Sequence, residues 1–450
     1  MKIALVLIFL VVLSVLFHLF SPWYLTPIAS NWTAIDDTIS LTFWVTGCVF
    51  IAVNLFLAYV IIRYRARQGG KAAYEPENKR LEIILTAVTT LGVAAMLAPG
   101  LMVWDEVINV PEDAHVVEAI GQQWQWTFRL PGDDGQLGTV DARLITPANP
   151  FGINPADPNG QDDVLVDSNE LHLPIDQPVK VLLRSKDVLH NFAVPQFRVK
   201  MDLVPGTTTY LWFTPTREGS FEILCEELCG LAHFTMRGRV LVDSEADYQQ
   251  WLSQQPTFSQ SQETVDGKPE QGQLAFAMCS GCHGQQGEGN QALNAPKLAG
   301  MGHWYIARQL AYYQQGIRGK HEKDIYGQQM APMAALLAQP NAIADVSAYI
   351  QSLDSSPVVD TLGGDPERGH GFYFTCGTCH GDTGQGNRGL NAPRLAGQHD
   401  WYIKRQLENF KQGIRGKHKE DLYGVQMRLM ASILQDEQAL NDIAAYINTL

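Results

Sequence analysis

Apolar positions are unevenly spread along the chain. Residues 3–20 (IALVLIFLVVLSVLFHLF), 40–62 and 83–104 are near-continuous apolar runs. Each approaches the ~20 residues a helix needs to cross hydrocarbon. No stretch beyond Trp104 could do so, which excludes a many-span transporter. From 113 to 243, short β-rich runs alternate with Pro, Gly and Asp breaks. The runs at 116–120, 125–130, 164–166, 179–184, 208–213 and 239–242 predict an antiparallel sandwich or barrel. From about residue 270 the chain repeats itself. The heptapeptide QGIRGKH at 315–321 recurs letter for letter at 412–418, and every landmark keeps that offset of 97. A duplication explains this. The last helix of each copy is expected over 342–353 and 437–450.

Charge orients the membrane part. Arg63, Arg65, Arg67, Lys71, Lys79 and Arg80 lie between the second and third runs, which places that loop in the cytoplasm. Residues 21–39 and everything after Trp104 then face the outer side. The first run reads as a signal peptide or a retained helix. Residues 18–30 offer no small-residue cleavage pair, which favours a retained helix. Cys48, mid-span, is expected as a small buried apolar residue. Glu82 opens the third run at the cytoplasmic surface, as an interfacial charge or a proton-uptake group. The net charge of −14 speaks against nucleic-acid binding. Residues 131–170 hold eight acids (Asp133, Asp134, Asp141, Asp157, Asp162, Asp163, Asp167, Glu170) against Arg143 alone. They form either a solvated loop or a docking patch for a basic donor. Residues 255–268 (QPTFSQSQETVDGK) read as a polar, flexible linker.

Six of the seven cysteines fall in tight pairs, unlike a disulfide scaffold. One pair lies in Cys225-Glu-Glu227-Leu-Cys229-Gly-Leu-Ala-His233-Phe-Thr-Met236, downstream of Asp187-Val-Leu-His190. Two thiolates, two imidazoles and a thioether form a soft set that suits copper. Zinc is the rival, but it has no use for the methionine. The other pairs lie in Cys279-Ser-Gly-Cys282-His283 and Cys376-Gly-Thr-Cys379-His380. C-x-x-C-H joins a haem through two thioethers and supplies an axial histidine. About 0.003 such boxes are expected by chance from this composition. The sixth iron ligand lies between box and last helix, where each repeat offers two methionines: Met330 and Met333, then Met427 and Met430. His321 and His418 are the outside alternatives, and His303, His370 and His399 are expected at the surface.

The C-x-E-x-C-x-x-x-H-x-x-M loop with its upstream histidine resembles the binuclear copper (CuA) site of cytochrome c oxidase subunit II. The segment Lys200-Met-Asp-Leu-Val-Pro-Gly206, the stretch Gln123-Trp124-Gln125-Trp126 and two spans before the β region agree with that family. The resemblance covers about 30–255. It implies a cupredoxin-like β-sandwich or barrel in which Cys225 and Cys229 bridge two coppers. His190 and His233 would bind one copper each, with Met236 and the Glu227 carbonyl completing the set. The Glu227 carboxylate would reach a magnesium shared with subunit I. Trp124 would be the electron-input residue and Glu82 a proton-channel mouth. Gln125, in place of the family's middle aromatic, bears on the donor-docking surface, and Glu226 adds an acid beside Cys225. The repeats resemble class I and dihaem c-type cytochromes, whose all-α fold aligns the axial ligand with Met330 and Met427.

The expected organisation is multidomain. Residues 1–24 form a signal peptide or extra helix, 25–110 a transmembrane hairpin and 111–254 a cupredoxin-like domain. A linker at 255–268 leads to cytochrome c domains at 269–354 and 355–450. The reading is subunit II of a respiratory haem–copper cytochrome c oxidase in a bacterial inner membrane, multi-pass, with its redox domains on the periplasmic side. Its expected partners are subunits I and III, and a bc-type complex or soluble cytochrome c as donor. The alternatives are the input subunit of a nitric-oxide reductase and a membrane-tethered electron carrier.

Overall fold

The computed structural model describes residues 2–21, 26–65, 76–146, 149–166, 168–262, 267–355, 357–418 and 420–450. Arg67 and Lys71 of the basic stretch and Asp167 of the acidic one lie outside these. Helices α1 (Lys2–Phe20), α2 (Thr33–Arg63) and α3 (Lys79–Ile108) are each long and apolar enough to cross a membrane. At 1.5 Å per residue, α2 and α3 reach roughly 45 Å, overrunning their apolar runs by polar turns. No residue of α3 is buried within the chain, so its apolar surface needs lipid or a partner helix. Cys48 is exposed on α2, not buried as expected, because no element of this chain covers that face.

The β domain is seated on the start of α2 and the end of α3. Arg198 pairs with Asp36 in the first turn of α2 at 2.6 Å. Trp212 and Tyr210 donate to the carbonyls of Glu106 and Ile108 at 3.2 Å each. Arg63, Lys79 and Arg80 therefore lie at the opposite end of the helical hairpin.

Among the described residues ten strands follow: β1 (His115–Gln122), β2 (Gln125–Leu130), β3 (Val164–Val166), β4 (Glu170–Pro174), β5 (Val179–Ser185), β6 (His190–Val194), β7 (Val199–Leu203), β8 (Thr209–Phe213), β9 (Gly219–Leu224) and β10 (Arg237–Asp243). They build two five-stranded sheets, ordered β3-β2-β1-β5-β8 and β4-β10-β9-β6-β7. Trp126, Phe128, Phe192, Phe213 and Ile223 fill the core. The expected sandwich is present, but not purely antiparallel. β1 pairs β5 and β4 pairs β10 in parallel, because long excursions bring those strands back in the same direction. Strands β4, β6, β7 and β9 had no sequence counterpart. β6 is buried at all five positions, so it shows no alternation to read.

The acidic excursion folds over a small core of its own, Ile120, Phe151, Ile153, Leu165 and Phe258. Its acids close its own turns. Asp163 meets Arg129 at 2.8 Å, Asp157 accepts from Thr139 N and Oγ1 at 2.8 and 2.6 Å, and Asp162 accepts from Asp134 N at 3.2 Å. These carboxylates are spent inside the loop, which argues against an open docking patch. The described ends of the expected linker, 255–262 and 267–268, are bonded to the folded parts on either side. Pro256 O accepts from Leu165 N at 2.9 Å and Phe258 N donates to Asp163 O at 2.8 Å. At the far end, Lys268 N donates to Asp345 Oδ1 at 2.6 Å. One aromatic anchor, Phe258, overrides the polar composition.

After α4 (Glu245–Leu252) and α5 (Phe258–Gln262) come the repeats. The first holds α6 (Pro269–His283), α7 (His303–Gln315), α8 (Ile325–Ala335) and α9 (Ala342–Ser352). The second holds α10 (Pro366–His380), α11 (Asp400–Lys411), α12 (Leu422–Ala431) and α13 (Glu437–Asn448). First and last helices cross at backbone contact. A Cβ on Gly272 would stand 2.0 Å from Asp345 O, and one on Gly369 2.0 Å from Asp442 O. The repeats interlock about a pseudo-two-fold. Arg308 stacks over Tyr423 and Arg405 over Tyr326, each at 4.7 Å. Arg318 reaches Gln309 at 2.8 Å and Gln406 at 3.3 Å, and Arg415 reaches Gln406 at 2.6 Å and Gln309 at 3.1 Å.

Candidate metal centre and paired clefts

β6 begins at His190, and the chain leaving β9 forms the 225–236 loop beside it. The sulfurs of Cys225 and Cys229 lie 3.8 Å apart. His190 Nδ1 is 3.9 Å from Cys225, His233 Nδ1 3.3 Å from Cys229, and Met236 Sδ 3.8 Å from Cys229. The Glu227 carbonyl is 3.3 Å from Cys225 Sγ. All six expected groups therefore converge, with His190, Cys225, Cys229 and Met236 at 0–9% exposure. The two thiols share one proton, so Cys225 is held low, at about 3, while Cys229 is pushed up. Two sulfurs able to bridge, two imidazole nitrogens, a thioether and a carbonyl fit a pair of copper ions.

Asp187 had no assigned role in the sequence. It holds His190 Nε2 at 2.8 Å, which leaves Nδ1 facing the sulfurs. Burial opposes its charge, yet His190 and the N–H groups of Gln123 and Val188 keep its carboxyl below the usual range. The signal was already in the D-V-L-H spacing.

Trp124 sits at the tip of the β1–β2 hairpin, where Gln122 pairs Gln125. Its Nε1 donates to Cys229 O at 3.1 Å, and Gln123 Nε2 donates to the same carbonyl at 2.7 Å. Gly230 permits this approach. Its φ is +117°, and a Cβ there would meet Gln123 Nε2 at 2.8 Å. The carbonyl of Trp124 accepts from Gln426 Nε2 of α12 at 3.0 Å. Met430 and Cys379 pack against the same core. The second repeat thus covers Trp124. Gln125, the departure from the family pattern, is 3% exposed in the intact chain. Glu226 is paired with Lys200 at 2.9 Å.

Glu82 stands in the first turn of α3, at the membrane end remote from the β domain. Among the described residues, one group brings three His/Cys/Asp/Glu ligand atoms together: His190, Cys225 and Cys229. The Glu227 carboxylate is outside that group.

Each repeat carries an apolar cleft that the other repeat helps to wall. The first is lined by Cys279, Cys282, His283 and Met330, the second by Cys376, Cys379, His380 and Met427. Met333 and Met430 also reach the clefts, but Met333 is 37% exposed and Met430 faces the β domain. His283 and His380 are buried, and burial lowers the pKa of both imidazoles. Their Nδ1 atoms bond Pro296 O at 2.8 Å and Pro393 O at 2.7 Å, which leaves Nε2 for a ligand. Neither His321 nor His418 lines a cleft. His399 bonds Glu288 O across the repeats at 2.9 Å. Arg318 and Arg405 border the first cleft, Arg308 and Arg415 the second. Each keeps a buried N–H group without a partner. Haem carboxylates would satisfy such groups, so the clefts fit haem.

These features define a membrane-anchored electron-transfer protein, with a sulfur-rich metal centre and c-type cytochrome units. Residues 115–244 match the family "Cytochrome C oxidase subunit II, periplasmic domain", and residues 269–354 and 366–450 match "Cytochrome c". The alternative cytochrome c oxidase subunit 2 of Bradyrhizobium diazoefficiens is 60% identical over 259 residues, 58% of this chain and 94% of that protein. Cytochrome c oxidase subunit 2 of Cereibacter sphaeroides is 30% identical, over 51% of this chain and 77% of that one. Similar solved structures include reduced cytochrome c4 of Pseudomonas stutzeri, with 28% identity, TM-score 0.35 and coverage of 41% and 99%. Another is the periplasmic domain of subunit II (CoxB) of Bradyrhizobium japonicum, with 27% identity, TM-score 0.24 and coverage of 32% and 95%. The chain belongs to the cytochrome c oxidase subunit II family, and serves electron transfer in a haem–copper oxidase.

Proposed function

We propose that this chain is the electron-input subunit of a bacterial inner-membrane cytochrome c oxidase, and that electrons cross its first repeat, its second repeat and the dithiolate centre in that order. When bound, two haems c and a dicopper centre supply one-electron carriers. The chain's residues set their order. Cys279 and Cys282, then Cys376 and Cys379, would hold the haems, with His283 and Met330, then His380 and Met427, as axial ligands. Cys225 and Cys229 would bridge the coppers, completed by His190, His233, Met236 and the Glu227 carbonyl.

One observation carries the order. Trp124 joins the Cys229 backbone on one side and Gln426 of the second repeat on the other. Beyond the metal centre, Leu228, Leu231 and Phe234 are exposed at 82, 57 and 52% on the ligand loop. They offer an apolar face to subunit I, to which the Glu227 carboxylate would bring a shared magnesium. The outward apolar faces of α2 and α3 suit helices of subunits I and III, and Glu82 would open a proton path between them. The donor would be a bc-type complex or a soluble cytochrome c. The purified complex should retain two haems on this chain after acid-acetone extraction, with copper to haem c iron near one in its soluble part. Extractable haem, or zinc in place of copper, defeats the reading.

A further inference from the structure

The duplication carries one face twice. In the second repeat, Cys379, Gln426 and Met430 rest on the β domain around Trp124. Their counterparts 97 positions earlier are Cys282, Gln329 and Met333, and all three are exposed. Around them Met278, Leu293 and Leu336 are 42, 50 and 58% exposed. One copy of the face is therefore covered by the partner it serves, and the other is open and apolar. The open copy also lies where the first cleft reaches the surface, since Cys282, Met278, Leu293 and Met333 all line that cleft.

We propose that this open face of the first repeat docks an external electron-donor protein. The proposal rests on the carrier order argued above. With Trp124 covered by α12, an outside donor has no approach to that residue, so it must reach the chain elsewhere. The covered copy shows what its partner must present. The β domain offers an accessible backbone carbonyl above a buried aromatic that leads to the candidate metal centre. Among the described residues no ion pair crosses that contact. The donor therefore carries its redox group just below an apolar surface, as a small cytochrome does, and binding is only weakly screened by salt. One electron would leave the donor's reduced cofactor for the ferric haem that Cys279, Cys282 and His283 would hold. No proton or atom is transferred.

The test uses the intact complex and two probes. Zinc-substituted equine cytochrome c reports binding by fluorescence anisotropy, and reduced native equine cytochrome c reports haem reduction in stopped flow. Leu336→Glu and Met333→Glu should each raise the apparent Kd at least tenfold and slow second-order reduction by a similar factor. Leu336→Gln should give a smaller shift in the same direction. Ile433→Glu, the equivalent position in the second repeat, should leave Kd within twofold of wild type. Binding should persist between 0.15 and 0.5 M salt. Unchanged Kd in Leu336→Glu, loss in Ile433→Glu instead, or no saturable binding to wild type overturns the proposal. Flash photoreduction of the c haems with a small dye separates the two readings. Failure of internal transfer in wild type refutes the carrier order, whereas normal transfer with unaltered donor binding refutes this face alone.

Discussion

Replacing Met430 with Glu and Gln426 with Ala should release the second repeat from Trp124. Met430 is half-buried against the β-domain core. Losing half of a methionine's burial costs roughly 1 kcal/mol. A carboxylate forced into the same contact adds about 1–3 kcal/mol. The Gln426–Trp124 hydrogen bond contributes about 1 kcal/mol. Because the two side chains share one contact, their effects do not simply add, and about 3 kcal/mol is a conservative total. That lowers the ratio of docked to undocked forms by roughly 150-fold. The repeat pair and the β domain belong to one chain, so the undocked pair stays tethered close to the β domain. Transfer should therefore slow by roughly one to two orders of magnitude without vanishing. The assay is flash photoreduction of the c haems in the intact complex, followed at the near-infrared band of the dicopper centre. Both cofactors should load normally. A double variant that transfers at the wild-type rate refutes the docked pose. So does Met333→Glu slowing this internal step as much.

Changing Met330 or Met427 should abolish the sulfur-to-iron charge-transfer band of the corresponding haem and lower its potential, read by optical titration, whereas Met333 and Met430 changes should preserve the band. The reverse pattern moves the ligand three residues on. Arg129→Met should leave the buried carboxylate of Asp163, now 2.8 Å from the guanidinium, without a cation, and Glu118, now 2.7 Å from it, with Arg184 alone. It should cost about 3–5 kcal/mol and lower the melting temperature of the β domain by on the order of 10 °C, with the copper spectrum unchanged below the transition. Calorimetry that finds no shift would mean water reaches that network.

The cluster of candidate metal-binding groups was legible because chemistry and proximity coincide. Five of the six lie within twelve residues on one loop, so side-chain type alone gathered the site. The haem boxes were legible for the same reason. The Gln426–Trp124 contact was not, since it joins positions 302 apart through surface shape, which leaves no periodicity. Arg318 and Arg415 stood in the repeated heptapeptide, but as marks of duplication. Their place in the interface appears only when the two copies face each other. The linker misled because composition averages over its residues while Phe258 alone decides the packing. The acidic stretch stayed open between a solvated loop and a docking patch, since counting carboxylates cannot reveal which of them cap turns.

Cys229→Ser in the intact complex decides between the proposed route and a bypass. Serine cannot replace a bridging thiolate in softness or charge, so the dicopper centre should fail to assemble. The haems are held by separate repeats and should still load. After reduction by a donor and mixing with oxygen, followed by stopped-flow absorbance, the c-type haems should stay reduced. Oxidation of those haems at the wild-type rate would show that electrons leave this chain without passing the Cys225–Cys229 centre.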